Sequence, residues 1–288
     1  MKRNKMFKHI LVVVVILLGI YAVFLSATSL REFALDSQRI VEASGLARSL
    51  ANPALLYTHN DSGGENAIFA IDLHGHLKAR LCIEGVTNRD WEEIATGLDP
   101  ITGTPHIYIG EIGDNGARYP SVVIYRVPEP SLIPGDTLVV CSDYETLNIQ
   151  YDDGARDAEA MFVDPKTGDI YIISKREEQV GVYKVAYPQS TTAMNIAKKL
   201  GTMRMSWVTA ADISANGKYI LVKNYTSIRR FKVNRKKGIA QALSQKGKNM
   251  PYKLEPQGEA ICFDAKGKGY FTLSEAAENT PQTLYYYK

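Results

Sequence analysis

Short apolar runs, most of them bounded by Gly, Pro or Asn, recur along the chain after residue 40. Because these runs are rich in β-branched and aromatic residues, they predict β-strands. One unit consists of an acidic residue, a first apolar strand, an Asp, a Gly-containing turn and a second strand, as in 257–274 and 157–174. A third copy covers 209–223, a fourth begins at Asp90 and a degenerate fifth begins at Glu42.

The spacing of these units predicts a repeat architecture. The positions that we expect to be equivalent are Ser44, Glu92, Glu159, Thr209 and Glu259. They lie 48, 67, 50 and 50 residues apart, and a period of this size indicates an array, a solenoid or a propeller. We therefore predict an all-β fold, a β-propeller with five blades of four antiparallel strands. A six-bladed ring is the alternative, with an additional half-unit hidden in the 67-residue interval.

The first and last strands supply a further prediction. The last unit ends on its third strand, whereas segment 33–40 has strand character and belongs to no complete unit. We expect this segment to complete the last blade, because a propeller without such closure would expose two long sheet edges. Weaker outer strands are predicted at 80–83, 147–151, 200–203 and 252–254, and 128–135 is predicted to be a long loop.

The N-terminal segment has a different pattern. Residues 10–25 form an unbroken apolar run of 16 residues that follows a cluster of positive charge. This length lies between a signal-peptide core and the roughly 20 residues that span a bilayer. We predict an apolar helix within 1–28 that acts as an uncleaved single-pass anchor in the cell membrane, with the domain 31–288 outside the cytoplasm. The alternative is a cleaved signal peptide and a secreted or periplasmic protein.

Composition narrows the choice of partner and compartment. The chain has 288 residues, 45% of them hydrophobic, and a formal net charge of +3. Four of the positive charges precede the apolar run, so the remaining chain is close to neutral and no nucleic-acid partner is expected. Cys82, Cys141 and Cys262 lack metal-ligand spacing. Buried free thiols are predicted, and one disulfide stays possible in an oxidising compartment.

Polar residues concentrate at the starts of the first strands and in the loops after the second strands. In an up-and-down blade these two places lie at the same end of the ring, around the mouth of a central channel. We expect a small-molecule or protein ligand to bind there. The expected contact residues are Asp61, Glu65, Asp90, Asp114, Asn115, Arg118, Lys175, Arg176, Asn224 and Glu275.

Three interpretations of this polar mouth are open. A ring of carboxylates is suited to calcium, which takes six to eight oxygen ligands in flexible geometry. The expected metal ligands are Glu92, Asp157, Glu159 and Glu259. Alternatively, neighbouring carboxylates could divide acid and base roles while Arg118, Lys175 or Arg176 hold an anionic substrate. In the third interpretation the repeated acids are structural and pair with cations or amides of a neighbouring blade.

Several motifs resemble those of a known class of proteins. Segments 60–63, 68–72, 90–95, 112–116 and 124–127 resemble uncharacterised exported bacterial β-propellers, which are similar to phytase-like and NHL- or WD-repeat-like propellers. A phytase-like resemblance implies calcium held at the channel mouth and hydrolysis of phosphate esters.

The chain departs from the phytase-like pattern in two ways. It has five evident units rather than six, and two of them carry Ser44 and Thr209 where the others have Glu. Only the metal site at Glu92, Glu159 and Glu259 therefore carries over from the resemblance. We predict an exported binding or interaction module, and a calcium-assisted hydrolase of phosphate or other esters is the alternative.

Overall fold

The computed structural model of the chain describes residues 29–132, 137–276 and 282–288. These residues form an all-β fold with 21 strands in four sheets and one short helix. Within these ranges no helix has the length and hydropathy needed to cross a bilayer. The apolar helix and anchor predicted within 1–28 lie outside the described residues.

The strands follow one another with short connections. In chain order the elements are β1 (Leu30–Ala34), β2 (Ala43–Arg48), β3 (Leu55–Asn60), β4 (Ala67–Asp72), β5 (Leu77–Ile83), β6 (Glu93–Leu98), β7 (Pro105–Glu111), β8 (Val122–Pro128), β9 (Leu138–Cys141), β10 (Glu145–Tyr151), β11 (Ala158–Val163), β12 (Ile170–Ser174), β13 (Val180–Val185), β14 (Asn195–Met203), β15 (Val208–Ile213), β16 (Tyr219–Asn224), β17 (Ser227–Lys232), α1 (Ile239–Leu243), β18 (Lys248–Met250), β19 (Gly258–Phe263), β20 (Tyr270–Ser274) and β21 (Thr283–Tyr287).

Most of these strands belong to five antiparallel units of four strands. The first unit is β2-β3-β4-β5, the second β6-β7-β8-β10, the third β11-β12-β13-β14, the fourth β15-β16-β17-β18 and the fifth β19-β20-β21-β1. Parallel pairing of β10 with β14 joins the second and third units into one eight-stranded sheet. The first unit gains β9, which pairs in parallel with β5.

The fifth unit contains strands from both ends of the chain. β1 runs antiparallel to β21, with Leu30 opposite Tyr287 and Ala34 opposite Thr283. The N-terminal pairing that we predicted is therefore present, but the strand ends six residues earlier than expected. The backbone of Leu35 still donates to Gln282 at 3.0 Å. The segment then leaves the sheet, and the Asp36 carboxylate accepts a hydrogen bond from the backbone of Leu77 at 2.9 Å.

The apolar core lies between neighbouring units. Five clusters of buried apolar side chains fill the spaces between the first and second, second and third, third and fourth, fourth and fifth, and fifth and first units. The first strands of the units also lie side by side. β2 contacts β6 and β19, β6 also contacts β11, β11 contacts β15, and β15 contacts β19. Burial of these side chains supplies most of the stabilisation.

Some of the predicted outer elements differ from the structure. The outer strand of the fourth unit is β18, not the predicted 252–254, and it follows α1, which we did not predict. The backbone of Lys253 instead donates to the hydroxyl of Tyr287 at 3.0 Å, so it does not extend the sheet. β9 was also missed. All three cysteines are free; Cys141 and Cys262 are buried and Cys82 is half-buried.

Candidate functional site

A β-bulge near the start of each first strand sets the position of one side chain per unit. The pairing register shifts between Ala43 and Gly45, and in the same way at β11, β15 and β19. In the second unit the backbone of Glu92 donates to Gly110, which also pairs with Glu93. The bulged residues are Ser44, Glu92, Glu159, Thr209 and Glu259. The predicted equivalence of these five positions is confirmed, and bulges often direct side chains into functional sites.

The two hydroxyl residues at these bulges connect neighbouring units. Ser44 donates a hydrogen bond to the carbonyl oxygen of Glu92 at 2.9 Å. Thr209 donates to the carbonyl oxygen of Gly258 at 3.3 Å. Both hydroxyl groups are buried and satisfied by the backbone. We call this end of the first strands, where the five bulged residues lie, the bulge end of the fold.

Glu92 belongs to a cluster of three carboxylates at the bulge end. One carboxylate oxygen each of Asp61, Asp90 and Glu92 lies within 4.8 Å of the other two. Asp61 follows the second strand of the first unit, and Asp90 lies two residues before the bulge of the second unit. Glu92 is buried, whereas both aspartates are half-buried. We call these three residues the acidic triplet.

Gly113 makes room for the acidic triplet. Its backbone donates to the carbonyl oxygen of Asp90 at 3.4 Å, as Asp61 does to Glu42 and Lys175 to Asp157 in other units. A Cβ atom at position 113 would overlap the carboxylates of Asp90 and Glu92. Glycine at this position therefore allows the carboxylates of Asp90 and Glu92 to lie close to each other.

The acidic triplet holds negative charge at a high electrostatic cost. Burial, followed by the charges of Asp61 and Asp90, raises the pKa of Glu92 well above its ordinary value. Burial, together with the charges of Glu259 and Asp90, raises the pKa of Asp61 to about 6. Mutual repulsion of this kind is relieved by a bound proton or by a cation.

The other two bulged glutamates have a cation of their own. The Lys175 ammonium forms a buried ion pair with Glu159 and lies 4.0 Å from Glu259. Tyr225 donates a hydrogen bond to Glu259 at 2.5 Å. One oxygen of Glu159, Oε2, is buried and has no hydrogen-bond partner among the described residues. Within the same ranges Glu92 makes no ion pair. The Lys175 ammonium contacts Glu159 and Glu259, and its charge also opposes the upward shift in the pKa of Glu92.

Asp157, another predicted metal ligand, is held by protein groups. Its carboxylate accepts hydrogen bonds from Arg176 Nε at 2.5 Å and from the backbone of Asp114 at 3.0 Å. Arg176 also contacts Asn115 and lies over the exposed ring of Trp207, with its guanidinium carbon 5.4 Å from the ring centre. Of the four predicted metal ligands, only Glu92 thus belongs to the triplet.

A cavity of about 460 Å³ opens beside the triplet. It is lined by Asp90, Asp114, Asn115, Gly116, Arg118 and Tyr119. Arg118 makes no ion pair among the described residues, in contrast to nearby Arg89 and Arg176. A guanidinium group without a carboxylate partner among the described residues thus lines the same cavity as Asp90 of the triplet.

Glu275 also lies at the bulge end, near Asp61. Its carboxylate accepts a hydrogen bond from the side chain of Gln257. Burial and the charge of Glu259 raise the pKa of Glu275 to about 8. The remaining predicted ligand-binding residues, Glu65 and Asn224, have other contacts. Glu65 pairs with Arg39 and Arg80, and Asn224 accepts hydrogen bonds within the turn at 224–227.

Backbone strain is concentrated around the same end. Among the described residues, the non-glycine residues with φ in the left-handed region are Ala117 (47°), Trp207 (55°) and Gln257 (39°). Trp207 and Gln257 each lie two residues before a bulged residue, and Ala117 lies in the loop that lines the cavity. Such conformations cost roughly 1–3 kcal/mol each and cluster at functional sites. Gly113 lies within the motif at 112–116, but the sequence did not indicate the roles of Gly113, Trp207 or Tyr225, because those roles depend on tertiary contacts.

Comparison of the sequence with protein-family models gave no match, and comparison with curated proteins gave none either. The resemblance to exported bacterial propellers therefore stays a prediction from the sequence motifs.

Proposed function

We propose that the chain is a five-bladed β-propeller that binds a divalent cation, preferably calcium, at the bulge end and presents it to a ligand outside the cytoplasm. The propeller interpretation is supported by the five four-stranded units, by the apolar clusters that include one between the fifth and first units, and by the pairing of β1 with β21. Radial repetition with closure of this kind protects the sheet edges.

The observation that carries the cation proposal is the geometry of the acidic triplet. Oxygen atoms within 4.8 Å of one another can all lie at about 2.3–2.6 Å from a central calcium ion. Asp61, Asp90 and Glu92 would hold the ion and supply up to six oxygen atoms. No ammonium or guanidinium group pairs with Glu92 among the described residues, and Gly113 keeps the space clear. A hard cation would therefore replace the protons that burial now favours.

The cation would serve a binding function. Calcium accepts more ligands than three carboxylates need supply, so a bound ion leaves positions for an oxygen of a partner molecule. Asn115 and Arg118 line the adjoining cavity and are available for the rest of such a ligand. The proposal therefore describes a binding module whose ligand carries oxygen donors.

Calcium titration tests this proposal. We expect calcium at millimolar concentration to raise the melting temperature of the full chain, because an ion that binds only the folded state stabilises it. The double variant Asp90→Asn/Glu92→Gln should lose this response and should lose calorimetric binding at least about tenfold. Asp143→Asn, which removes an exposed acid that makes no ion pair among the described residues, is the matched control and should respond as the wild type does. An unchanged wild-type melting curve would contradict the proposal.

One observation favours the alternative of a calcium-assisted esterase or phosphatase. Arg118 is uncompensated and lines the same cavity as Asp90, so an anionic ester could bridge the cation and the guanidinium. If this alternative holds, the chain should hydrolyse 4-nitrophenyl phosphate in a reaction that requires calcium, stops with chelator and weakens in Arg118→Ala. Calcium binding without turnover would reject the hydrolase and leave the binding module.

A further inference from the structure

A second cavity lies between the first and fifth units, at the end of their first strands opposite the bulges. It has a volume of about 430 Å³, within the range of sites that enclose small molecules. Its apolar lining is formed by Phe33, Leu56, Leu73, Phe263, Phe271 and Tyr286.

The position of this cavity separates it from the acidic triplet. Arg48 lines it at the last residue of β2, whereas the bulge of the same strand is at Ser44. Phe263 lies at the corresponding end of β19. A strand rises about 3.3 Å per residue, so the bulges are more than 10 Å away.

Positive charge borders the cavity, and no ion pair with a carboxylate of the described residues neutralises it. Arg31, Arg48 and Lys266 line it, and Lys268 and Lys288 line the adjoining recess with Arg31. Over the described ranges, none of these five side chains is among those that pair with a carboxylate oxygen within 4.0 Å.

The two acids close to these cations are occupied by other donors. The Asp264 carboxylate accepts hydrogen bonds from the backbones of Lys266, Lys268 and Gly269 and from the hydroxyl of Tyr286, at 2.9–3.0 Å. The Asp212 carboxylate accepts the backbone N–H groups of Ile213 and Phe263, both at 2.7 Å. The local acids therefore stabilise turns and strands, and the cationic rim keeps an excess of positive charge.

We propose that this cavity binds an amphiphilic anion, a molecule with an apolar chain or ring and one carboxylate or phosphate group. The apolar part would fill the space between Leu56, Leu73 and Phe271 and remove their surfaces from water. The anionic group would lie at the rim, where Arg31 and Lys266 donate charge-assisted hydrogen bonds. A neutral or cationic ligand would leave the rim charge uncompensated.

Calorimetry with a set of related small molecules tests both halves of this inference. The probes are 4-phenylbutyrate, 4-phenylbutylamine and butyrate, titrated into the full chain in a neutral detergent and into detergent alone. We expect 4-phenylbutyrate to bind at least about tenfold more tightly than the amine, because only the acid complements the rim. Butyrate should not bind measurably, since it lacks the ring that fills the cavity. Titration with phenyl phosphate then shows whether the rim binds a phosphate group as well as the carboxylate group of 4-phenylbutyrate.

Variants identify the site. Arg31→Gln/Lys266→Gln changes two exposed side chains and should weaken binding of 4-phenylbutyrate at least about tenfold. The matched control is Lys232→Gln/Lys236→Gln, which removes two exposed charges from the fourth unit and should bind as the wild type does. Equal binding of the acid and the amine, or unchanged binding in the first variant, would overturn the inference. Added calcium should not change these affinities, so this result is independent of the triplet.

Discussion

At the scale of single residues, the candidate site depends on the absence of a side chain at Gly113. Gly113 occupies the position that holds Asp61 in the first unit, Lys175 in the third and Glu275 in the fifth, as the shared backbone hydrogen bonds indicate. A side chain there would displace the carboxylates of Asp90 and Glu92. The triplet therefore forms at the unit in which the repeated position has no side chain.

Gly113→Ala should weaken calcium binding at least about tenfold, because the new methyl group separates the carboxylates that the ion must join. Calorimetric titration measures the effect. Gly103→Ala is the control. Its φ of 72° means that alanine costs about 1–2 kcal/mol of stability, but the added methyl group meets no other atom, so calcium affinity should not change. Equal calcium affinity in Gly113→Ala and the wild type would remove Asp90 and Glu92 from the proposed ion site.

At the scale of elements, β1 completes the sheet of the fifth unit. β1 covers β21, which would otherwise be an unpaired edge. Phe33 also packs against the buried cluster between the first and fifth units. The strand therefore contributes both backbone pairing and apolar burial.

Glu32→Pro/Phe33→Pro should destabilise the fold by on the order of 2–4 kcal/mol, because proline removes ladder hydrogen bonds and the second change also removes an aromatic side chain. The exposed edge of β21 should also promote self-association. Thermal unfolding and size-exclusion chromatography measure the two effects. Glu32→Thr/Phe33→Tyr keeps strand-forming residues and should behave like the wild type. A double-proline variant that is as stable as this control would argue against closure through β1.

The repeated part of the fold was predictable because its signal is local. The acid, the apolar run and the Gly-containing turn recur in sequence, and the five bulged positions follow from their spacing. The non-repeated parts were not predictable in this way. β9 pairs in parallel with β5 across more than 50 residues, and β18 takes the place predicted for 252–254 because the Lys253 backbone bonds to Tyr287.

The candidate site was only partly predictable for a similar reason. The motifs indicated which acids gather at the bulge end, but the assignment of partners depends on side chains from different units. Lys175 was predicted to contact a ligand, and in the structure it neutralises Glu159 and approaches Glu259. Glu92 instead lies closest to the carboxylates of Asp61 and Asp90 and has no ion-pair partner within 4.0 Å among the described residues. The spacing of the repeats does not contain this difference between the glutamates.

At the scale of the whole molecule, two acids, one buried and one half-buried, accept hydrogen bonds from the backbone of other units. Glu93 of the second unit accepts the backbone N–H of Ala211 from the fourth unit at 3.1 Å. Asp212 of the fourth unit accepts the backbone N–H of Phe263 from the fifth at 2.7 Å. Burial raises the pKa of Asp212 to about 6, although Arg48 opposes the shift. These acids connect units, and for Asp212 the connection destabilises the fold more when the carboxyl group is ionised than when it is protonated.

The contribution of Asp212 to the stability of the molecule should therefore fall as pH rises from 4 to 7. The folded state holds the Asp212 proton more tightly than the unfolded state, so stability from this group is complete below about pH 4 and is lost as pH rises through 6. Asp212→Asn should gain stability relative to the wild type over this interval, by on the order of 1–3 kcal/mol. Chemical denaturation at several pH values measures the difference.

Asp99→Asn provides the comparison for this measurement. The backbone amides of Thr102 and Ile101 lower the pKa of Asp99 to about 2, so its contribution is lost only as pH falls below about 4. Its effect should be nearly constant between pH 5 and 7. A difference between Asp212→Asn and the wild type that stays constant over the same interval would show that Asp212 does not titrate there.

The pairing of Leu30 with Tyr287 has a consequence for the connectivity of the protein. Residues opposite each other in an antiparallel pair have Cα atoms about 5 Å apart, so a short linker could join these two positions. New termini could then be opened in an exposed turn such as the one at Gly103, where an added Cβ atom would meet no other atom within 4 Å. The folded part of the chain between these two positions is thus suited to circular permutation.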